Sequence, residues 1–470
     1  MPFKLLRGAP EILEERGNNW FRPARPAPHS KPLGTLDLVL AMRRNLISTF
    51  AEADYVSHNF QLRIFGRQVV VVNQPETIRH VLVANNSNFS RKSPQLRRAL
   101  EYLVGDGLFI SDGETWRRRR PLMADIVHRR RLPTLTRSME AAIADLVERW
   151  EDKPQGATFD VLPEMAELTA EIISQAVFGQ KLGSAAAHKV IEGFTSYQRL
   201  IDSTNLGYFL GADKGWPVVR GPRLRKAIAQ IHEVIDKVIA AHIEQDQDEN
   251  SLVGMLLRRQ ARSPELGLTI NELRSEAHTM FMAGHEGTTV TLAWMWYLLA
   301  NAPWVESAIH AEIKAVVGSR PPTLADIPKL DWCRSVVEET LRLYPSIPIL
   351  ARQALAADKV GPINVEPGAL IVVLPWLLHR ARDLWERADD FLPERFLGGK
   401  KPEPYTYLPF SAGPRICPGA SFGLTEAILC LATLAQRFKV RIAPGFRVEP
   451  YCRLTLRPKE GLKVVLERRG

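Results

Sequence analysis

Among the residues of this 470-residue chain, Cys417 has the setting most suggestive of chemistry. It lies in the string FSAGPRICPG, residues 410–419, which places Arg415 two residues before the thiol. The apolar pattern of residues 420–438 predicts a helix directly afterwards, with Pro418 suited to its first position. A thiol at a helix N-terminus beside an arginine is shifted toward thiolate, which can attack a substrate or bind a metal. A lone cysteine is also often a core residue without any function.

The neighbouring loop residues favour a large, flat metal cofactor. Gly413 and Gly419 permit unusual backbone angles and the close approach of a planar group. Phe410 can shield the sulfur from water, and Arg415 can hold an anionic substituent of a cofactor. A heme iron bound by the Cys417 thiolate fits these residues.

The string resembles the heme-binding pattern of the cytochrome P-450 family, Phe-x-x-Gly-x-Arg-x-Cys-x-Gly, at every fixed position. This resemblance implies heme b (iron protoporphyrin IX) as the cofactor, with Cys417 as its axial metal ligand. It also implies that Trp116 and Arg120, a Trp-x-x-x-Arg pair one helical turn apart, hold a heme propionate together with Arg352 and Arg415. Guanidinium groups suit this task because they offer a carboxylate two parallel donors.

Two further motifs combine carboxylates with arginines, in the strings ETLR (339–342) and FLPERF (391–396). A pair such as Glu339 and Arg342 is common on helices and contributes little when exposed. Together, however, the strings resemble the family's Glu-x-x-Arg and Pro-Glu-Arg-Phe motifs. The resemblance implies that Glu339, Arg342 and Arg395 form a buried structural triad behind the heme loop.

The segment AGHEGTT, residues 283–289, contains two glycines within a helical pattern. Each costs roughly 1 kcal/mol relative to alanine, which indicates a functional kink or groove at Gly284 and Gly287, or tight helix packing. The segment resembles the family's Ala-Gly-x-Asp/Glu-Thr-Thr, whose acid and threonine relay protons during oxygen activation. Here Gly287 occupies the usual threonine position, and Thr288 lies about 100° further round the helix. Thr288 then serves only if the helix unwinds locally; otherwise water, Glu286 or a substrate hydroxyl takes its place.

A mainly helical domain with a minor β portion has to position these residues. Apolar spacing predicts two strands in residues 60–72 and short strands in 350–373 and 441–466. The order of elements resembles the cytochrome P-450 fold from about residue 60 onward, with heme between the long central helix and the cysteine-loop helix. We therefore expect one domain over 1–470, in which 1–58 form an N-terminal extension and first helix. The predicted helices cover residues 75–83, 115–123, 135–150, 162–178, 222–244, 269–300, 303–317, 327–343 and 420–438.

The net charge of +10 comes partly from local clusters of arginines, such as residues 117–120 and 129–131. Aromatic residues are not interleaved there, which argues against nucleic-acid binding and favours either a solvated face or a docking patch for an acidic electron donor. The four scattered cysteines predict neither disulfides nor zinc. Residues 36–50 read as an amphipathic helix and 280–299 as a buried one, so a soluble, cytoplasmic monomer without a membrane anchor is expected.

The resemblance implies a heme-thiolate monooxygenase that inserts one oxygen atom of O2 into a lipophilic small molecule. Electrons would come from a separate ferredoxin or flavodoxin-type donor with its NAD(P)H reductase. The alternatives are a peroxide-driven or rearranging heme-thiolate enzyme of the same fold, and a non-catalytic heme or gas-binding protein. Substrate specificity is expected in the segments 93–109, 184–221, 346–351 and 451–454.

Overall fold

The fold is mainly helical, as the sequence predicts: helices make up 56% of the molecule and strands a minor portion. The computed structural model describes residues 20–201, 209, 221–245, 251–262 and 268–469. The α-helices in these ranges are α1 (Thr35–Arg44), α2 (Pro75–Arg79), α3 (Pro94–Val104), α4 (Gly113–Ile126), α5 (Leu132–Glu151), α6 (Val161–Phe178), α7 (Ser184–Leu200), α8 (Pro222–Gln245), α9 (Leu252–Arg262), α10 (Ile270–Ala300), α11 (Pro303–Val316), α12 (Asp331–Leu343), α13 (Pro375–Leu378) and α14 (Ala420–Arg437).

The strands form one five-stranded sheet and three smaller sheets. The large sheet has the order β1-β2-β8-β5-β3, in which β2 and β8 are parallel and the other neighbours antiparallel. A three-stranded sheet has the order β4-β12-β9, and β6–β7 and β10–β11 pair separately. The bounds are β1 (Asn59–Ile64), β2 (Arg67–Val72), β3 (Arg91–Lys92), β4 (Thr158–Asp160), β5 (Leu350–Gln353), β6 (Asp358–Val360), β7 (Ile363–Val365), β8 (Leu370–Val373), β9 (Phe438–Ile442), β10 (Pro450–Cys452), β11 (Leu456–Pro458) and β12 (Lys463–Arg468).

The long helix α10 runs through the core and begins at a capping box. The Thr269 hydroxyl accepts a hydrogen bond from the Glu272 N–H at 3.3 Å, and the Thr269 N–H donates to the Glu272 carboxylate at 2.9 Å. These bonds satisfy donors that the first turn leaves without partners, which fixes where the helix starts. From Leu273 to Leu299 most α10 side chains are buried. Among the described helices none is long and apolar enough to span a membrane.

Several element boundaries differ from the sequence-based expectation. Helix α1 ends at Arg44 rather than continuing to residue 50, because the extended Asn45 hydrogen-bonds Pro450 and Cys452 of β10 instead. The region 327–343 is broken at Leu330, so α12 starts only at Asp331. Residues 1–19 and parts of 184–221 lie outside the described ranges.

The cysteine-loop helix also starts later than expected. Pro418 precedes α14, whose N-cap is Gly419 and whose first residue is Ala420. The reason is that the Cys417 N–H donates back to the Phe410 carbonyl at 2.9 Å, so the chain is still closing the loop at this point.

Candidate active site

The loop before α14 holds the Cys417 thiol toward the interior cavity. Gly413 has a φ of +72°, and a Cβ there would lie 2.0 Å from the Leu82 carbonyl oxygen, so only glycine fits. Gly419 needs no such conformation, and its N–H donates to the Cys417 sulfur. Phe410 lines the same cavity as the thiol.

The Cys417 thiol is exposed to the cavity that it lines. Desolvation by the surrounding protein raises the pKa of Cys417, although the Gly419 N–H and the Arg120 guanidinium both act in the opposite direction. A bound metal ion would act in the same direction as these two groups, because a coordinating thiol is deprotonated outright.

Four cationic side chains surround the cavity wall beside the cysteine: Lys92, Arg120, Arg352 and Arg415. The Arg120 guanidinium donates to the Ile416 carbonyl at 2.6 Å, within the cysteine loop. Arg415 donates to the Asp112 carboxylate at 3.0 Å and stacks over the Trp116 ring at 4.5 Å. Five of the predicted cofactor-binding residues thus line one cavity: Trp116, Arg120, Arg352, Arg415 and Cys417.

Lys92 belongs to this cationic cluster, although the sequence analysis did not predict it as a site residue. It lies directly opposite Arg352 in the β3–β5 pairing, and both side chains are buried. Like charges in directly opposed positions destabilise a sheet. Burial, followed by the neighbouring arginines, lowers the pKa of Lys92 well below its ordinary value. The sequence gives little sign of this pairing, because Lys92 and Arg352 are 260 positions apart and β3 spans only two residues.

The cluster has more positive charge than its protein partners balance. Asp112 is the carboxylate that contacts it within the described ranges. In the same part of the chain, the buried Nε atoms of Arg352 and Arg415 have no hydrogen-bond partner. Burial lowers the pKa of Arg352 to about 10, which reflects the cost of holding the charge there. Such an arrangement fits a ligand that brings carboxylates, as the propionates of a heme do.

The Glu339, Arg342 and Arg395 side chains meet behind the loop. Arg342 holds both carboxylate oxygens of Glu339, at 2.7 and 2.8 Å, and both side chains are fully buried. The Arg395 Nε lies 3.4 Å from the same carboxylate. Arg342 also donates to the His379 carbonyl at 2.7 Å.

His379 connects this triad to the start of the cysteine loop. Its Nε2 accepts a hydrogen bond from the Leu408 N–H at 2.8 Å. Burial, assisted by the Arg342 charge, lowers the pKa of His379 to about 3, so the ring is neutral and can accept. The triad therefore supports the loop through one intervening residue.

The cavity has a volume of about 890 Å³ and mostly apolar walls. It extends from Cys417 past α10 and α3 to the β1 strand. Described residues of all four predicted specificity segments lie in its wall, among them Leu100, Phe194, Ile349 and Leu454.

Glu286 lies in the cavity wall and is held firmly. Its Oε1 accepts hydrogen bonds from the Gln198 amide at 2.8 Å and from the Thr455 hydroxyl at 2.6 Å. Thr455 follows directly on the cavity-lining residues 452–454, and Gln198 belongs to α7. The sequence motif shows the acid but gives no sign of these two partners.

Thr288 faces the cysteine-loop helix. Its hydroxyl forms a hydrogen bond with the Glu426 carboxyl group of α14. Burial raises the pKa of Glu426 well above the ordinary carboxyl value. Helix α10 continues without interruption through this region, so the local unwinding that would redirect Thr288 is absent. Glu426 is a second residue that was not predicted from the sequence; it lies in the second turn of α14 and is buried.

The two glycines of the segment differ in their surroundings. A Cβ on Gly284 would lie 2.5 Å from the Ile173 side chain of α6, so this glycine permits close helix packing. A Cβ on Gly287 would meet no described atom within 4 Å. The groove expected from the sequence therefore lies at Gly287, and the packing alternative applies to Gly284.

The arginines 117–120 do not share one exposed face. Arg119 is buried and bound to Glu276 at 3.1 Å and Glu272 at 2.9 Å, which corrects its assignment to a docking patch. Arg118 pairs with Glu272, whereas Arg117 is exposed beside Glu114.

Comparisons with known proteins agree with this arrangement. The Cytochrome P450 family model matches residues 35–465. Cyclooctatin synthase of Streptomyces melanosporofaciens is 31% identical over 92% of this chain and 93% of its own length. Cyclooctat-9-en-7-ol 5-monooxygenase of the same organism is 30% identical over 90% and 92%.

A solved structure shares the fold. The crystal structure of the cytochrome P450DA heme domain aligns with a TM-score of 0.77 at 23% identity, covering 96% of this chain and 98% of that one. With the family model spanning most of the sequence, the chain belongs to the cytochrome P450 family and is a cytochrome P450 monooxygenase.

Proposed function

We propose that the protein is a heme-thiolate monooxygenase that inserts one oxygen atom of O2 into a lipophilic small molecule, using heme b and electrons from a separate redox partner. One observation carries this proposal: the Cys417 thiol faces an apolar cavity, and the wall beside it holds four basic side chains, which among the described residues are contacted by the carboxylate of Asp112. A thiolate-bound heme, when present, supplies the activation of O2.

The predicted site residues have different roles toward that cofactor. Cys417 is the axial ligand, and Phe410, Gly413 and Gly419 shape the loop that presents it. Trp116, Arg120, Arg352 and Arg415 hold the propionates, and the excess of buried positive charge supports this role. Glu339, Arg342 and Arg395 keep the loop in place from behind.

Protons are proposed to pass by way of Glu286 and water rather than a threonine at position 287. The Glu286 carboxylate lines the cavity, and the space beside Gly287 admits a water molecule or a substrate hydroxyl. Thr288 is turned toward Glu426, so its hydroxyl is engaged there as the hydrogen-bond partner of a buried carboxyl group whose pKa is raised by burial. Gly284 contributes by allowing α6 to pack against α10.

The apolar cavity supports a largely hydrocarbon substrate. The relative named cyclooctat-9-en-7-ol 5-monooxygenase has a cyclic alcohol in its name, which favours ring-containing hydrocarbons over straight chains as the first compounds to test. A ferredoxin or flavodoxin-type donor, and a monomer in the cytoplasm, remain predictions.

The decisive experiment is the carbon-monoxide difference spectrum of the reduced protein. The wild type is expected to show the long-wavelength Soret band of thiolate-ligated heme, and Cys417→His should lose that band while still binding heme. A wild-type spectrum of the histidine-ligated type would contradict the proposal.

A peroxide-driven enzyme is the second candidate, and Gly287 favours it because the usual proton-relay hydroxyl is missing there. Product formation with hydrogen peroxide alone, and none with NAD(P)H and a reductase system, would select it. A non-catalytic gas-binding protein would form product under neither condition.

A further inference from the structure

One buried amide in the cavity wall has no hydrogen-bond partner among the described residues. Gln95 lies in the first turn of α3, after the N-cap Ser93 and Pro94, where the Ser93 hydroxyl accepts from the Leu96 N–H at 3.2 Å. Its side chain is 9% exposed, which means that it is almost as buried as its apolar neighbours.

Gln95 shares its helix face with residues that line the cavity. Ala99 and Leu103 follow it at spacings of four and eight residues, and all three lie in the cavity wall. Residues spaced in this way lie above one another on one side of a helix. The Gln95 amide therefore lies on the helix face that is otherwise formed by the apolar residues Ala99 and Leu103.

Neither polar atom of this amide is satisfied by the protein. In the part of the chain that the structure describes, both the Gln95 oxygen and the Gln95 nitrogen lack a hydrogen-bond partner. Buried polar groups are nearly always paired, so each exception calls for a physical explanation. A ligand in the cavity is a direct one, because the amide already lies in its wall.

The polar side chains of the wall differ in how far the protein satisfies them. Glu286 is held by Gln198 and Thr455. The Thr279 hydroxyl, like the Gln95 amide, has no hydrogen-bond partner among the described residues, but it lies against the loop at Gly107, where a Cβ would come within 1.9 Å of it. Gln95 differs from Thr279 because its donor and its acceptor are two separate atoms, and both lack a partner among the described residues.

We propose that Gln95 binds an oxygen substituent, a hydroxyl or carbonyl, on an otherwise hydrocarbon substrate and thereby sets which carbon faces the heme. A hydroxyl suits the site best, since it can donate to the amide oxygen and accept from the amide nitrogen at once. This inference rests on the proposed monooxygenase function and narrows its substrate class to oxygenated lipophiles.

Ligand binding to the heme protein tests the inference directly. Cyclododecane, cyclododecanol and cyclododecanone are titrated into wild type, Gln95→Leu and the control Thr279→Val, with the spin-state shift as the readout. We expect the ratio of the cyclododecane Kd to the cyclododecanol Kd to fall about tenfold in Gln95→Leu and to stay unchanged in Thr279→Val. Gln95→Glu, which keeps the acceptors but loses the amide donor, should weaken the ketone more than the alcohol.

Three outcomes would overturn the inference. An unchanged ratio in Gln95→Leu, or an equal fall in Thr279→Val, removes Gln95 as the recognition group. Faster transfer of heme from Gln95→Leu to apomyoglobin, with the ratio unchanged, assigns the amide to the cofactor, since Lys92 is only three residues away. Failure of the proposed function gives a different result from failure of this inference. In that case the wild-type protein would lack the thiolate-type carbon-monoxide band, or none of the three probes would change its spin state.

Discussion

Gly284 and Gly287 belong to one motif but differ in the space around them. Gly284 makes room for Ile173, whereas Gly287 has open space beside its α-carbon. A Cβ at position 287 therefore displaces no described neighbour, which makes this the position where a side chain can be added. Glycine also costs about 1 kcal/mol relative to alanine inside a helix, and threonine costs less than glycine.

Gly287→Thr should raise the coupling between NAD(P)H consumption and product formation. We expect more product and less hydrogen peroxide per NAD(P)H consumed, with a stability change within about 0.5 kcal/mol of the wild type. The checks are oxygen, peroxide and product balances together with the thermal midpoint. Unchanged or poorer coupling would show that water or substrate already fills the proton-transfer role.

Gly284→Ala is the matched control for that variant. Its new methyl group meets Ile173, so overpacking should destabilise the protein by about 1–3 kcal/mol in spite of the better helix propensity. A thermal midpoint equal to the wild type would mean that α6 can move aside.

Glu276 makes the stability depend on pH. Its carboxylate binds the Leu108 N–H at 3.0 Å and Arg119 at 3.1 Å, and burial raises its pKa to about 7 from the ordinary 4.5. Between these values the folded protein binds more protons than the unfolded chain, so the free energy of unfolding falls as the pH rises.

Glu276→Gln should remove that dependence. The wild type is expected to lose about 1–3 kcal/mol more than the variant between pH 4.5 and 7. Thermal midpoints of the ferric heme protein at several pH values measure this. Parallel curves for the two proteins would show that the Arg119 charge keeps Glu276 ionised throughout.

At the scale of elements, the triad joins α12 to the segment before the cysteine loop. Glu339→Gln should cost about 3–5 kcal/mol, because it leaves the fully buried Arg342 and the partly buried Arg395 without their carboxylate. Thermal midpoint and heme content of the purified protein report the loss. Glu233→Gln breaks the exposed pair with Lys237 on α8 and should change little, within about 0.5 kcal/mol. Equal effects in both variants would contradict a supporting role for the triad.

Local signals predicted most of these elements, and long-range pairing accounts for the rest. The Thr269 capping box fixes the start of α10, and the Cys417 string locates the loop, because each depends on residues close in sequence. Helix α1 stops at Asn45 because of a contact with β10, some 400 positions away. The Lys92–Arg352 register and the Thr288–Glu426 bond likewise exist only after distant elements meet.

At the scale of the whole molecule, much of the excess positive charge is used internally. Lys92, Arg352 and Arg415 are buried at the cavity, and Arg119 ties α4 to α10. The surface available to an electron donor near the cysteine is therefore smaller than the run of four arginines suggests. Arg117 remains exposed one turn from Arg120, which contacts the loop at the exposed Ile416.

Arg117→Glu should slow the first electron transfer from an acidic ferredoxin several-fold at low ionic strength, because exposed charges steer association of opposite partners. Its charge pair with Glu114 is exposed and contributes little to stability, so the fold should be unaffected. Stopped-flow reduction under carbon monoxide measures the rate, and raising the salt concentration should bring variant and wild type together as the charges are screened. Lys237→Glu makes the same charge change on α8 and serves as the control. If both variants slow reduction equally, the effect comes from net charge, and the donor does not dock beside the cysteine loop.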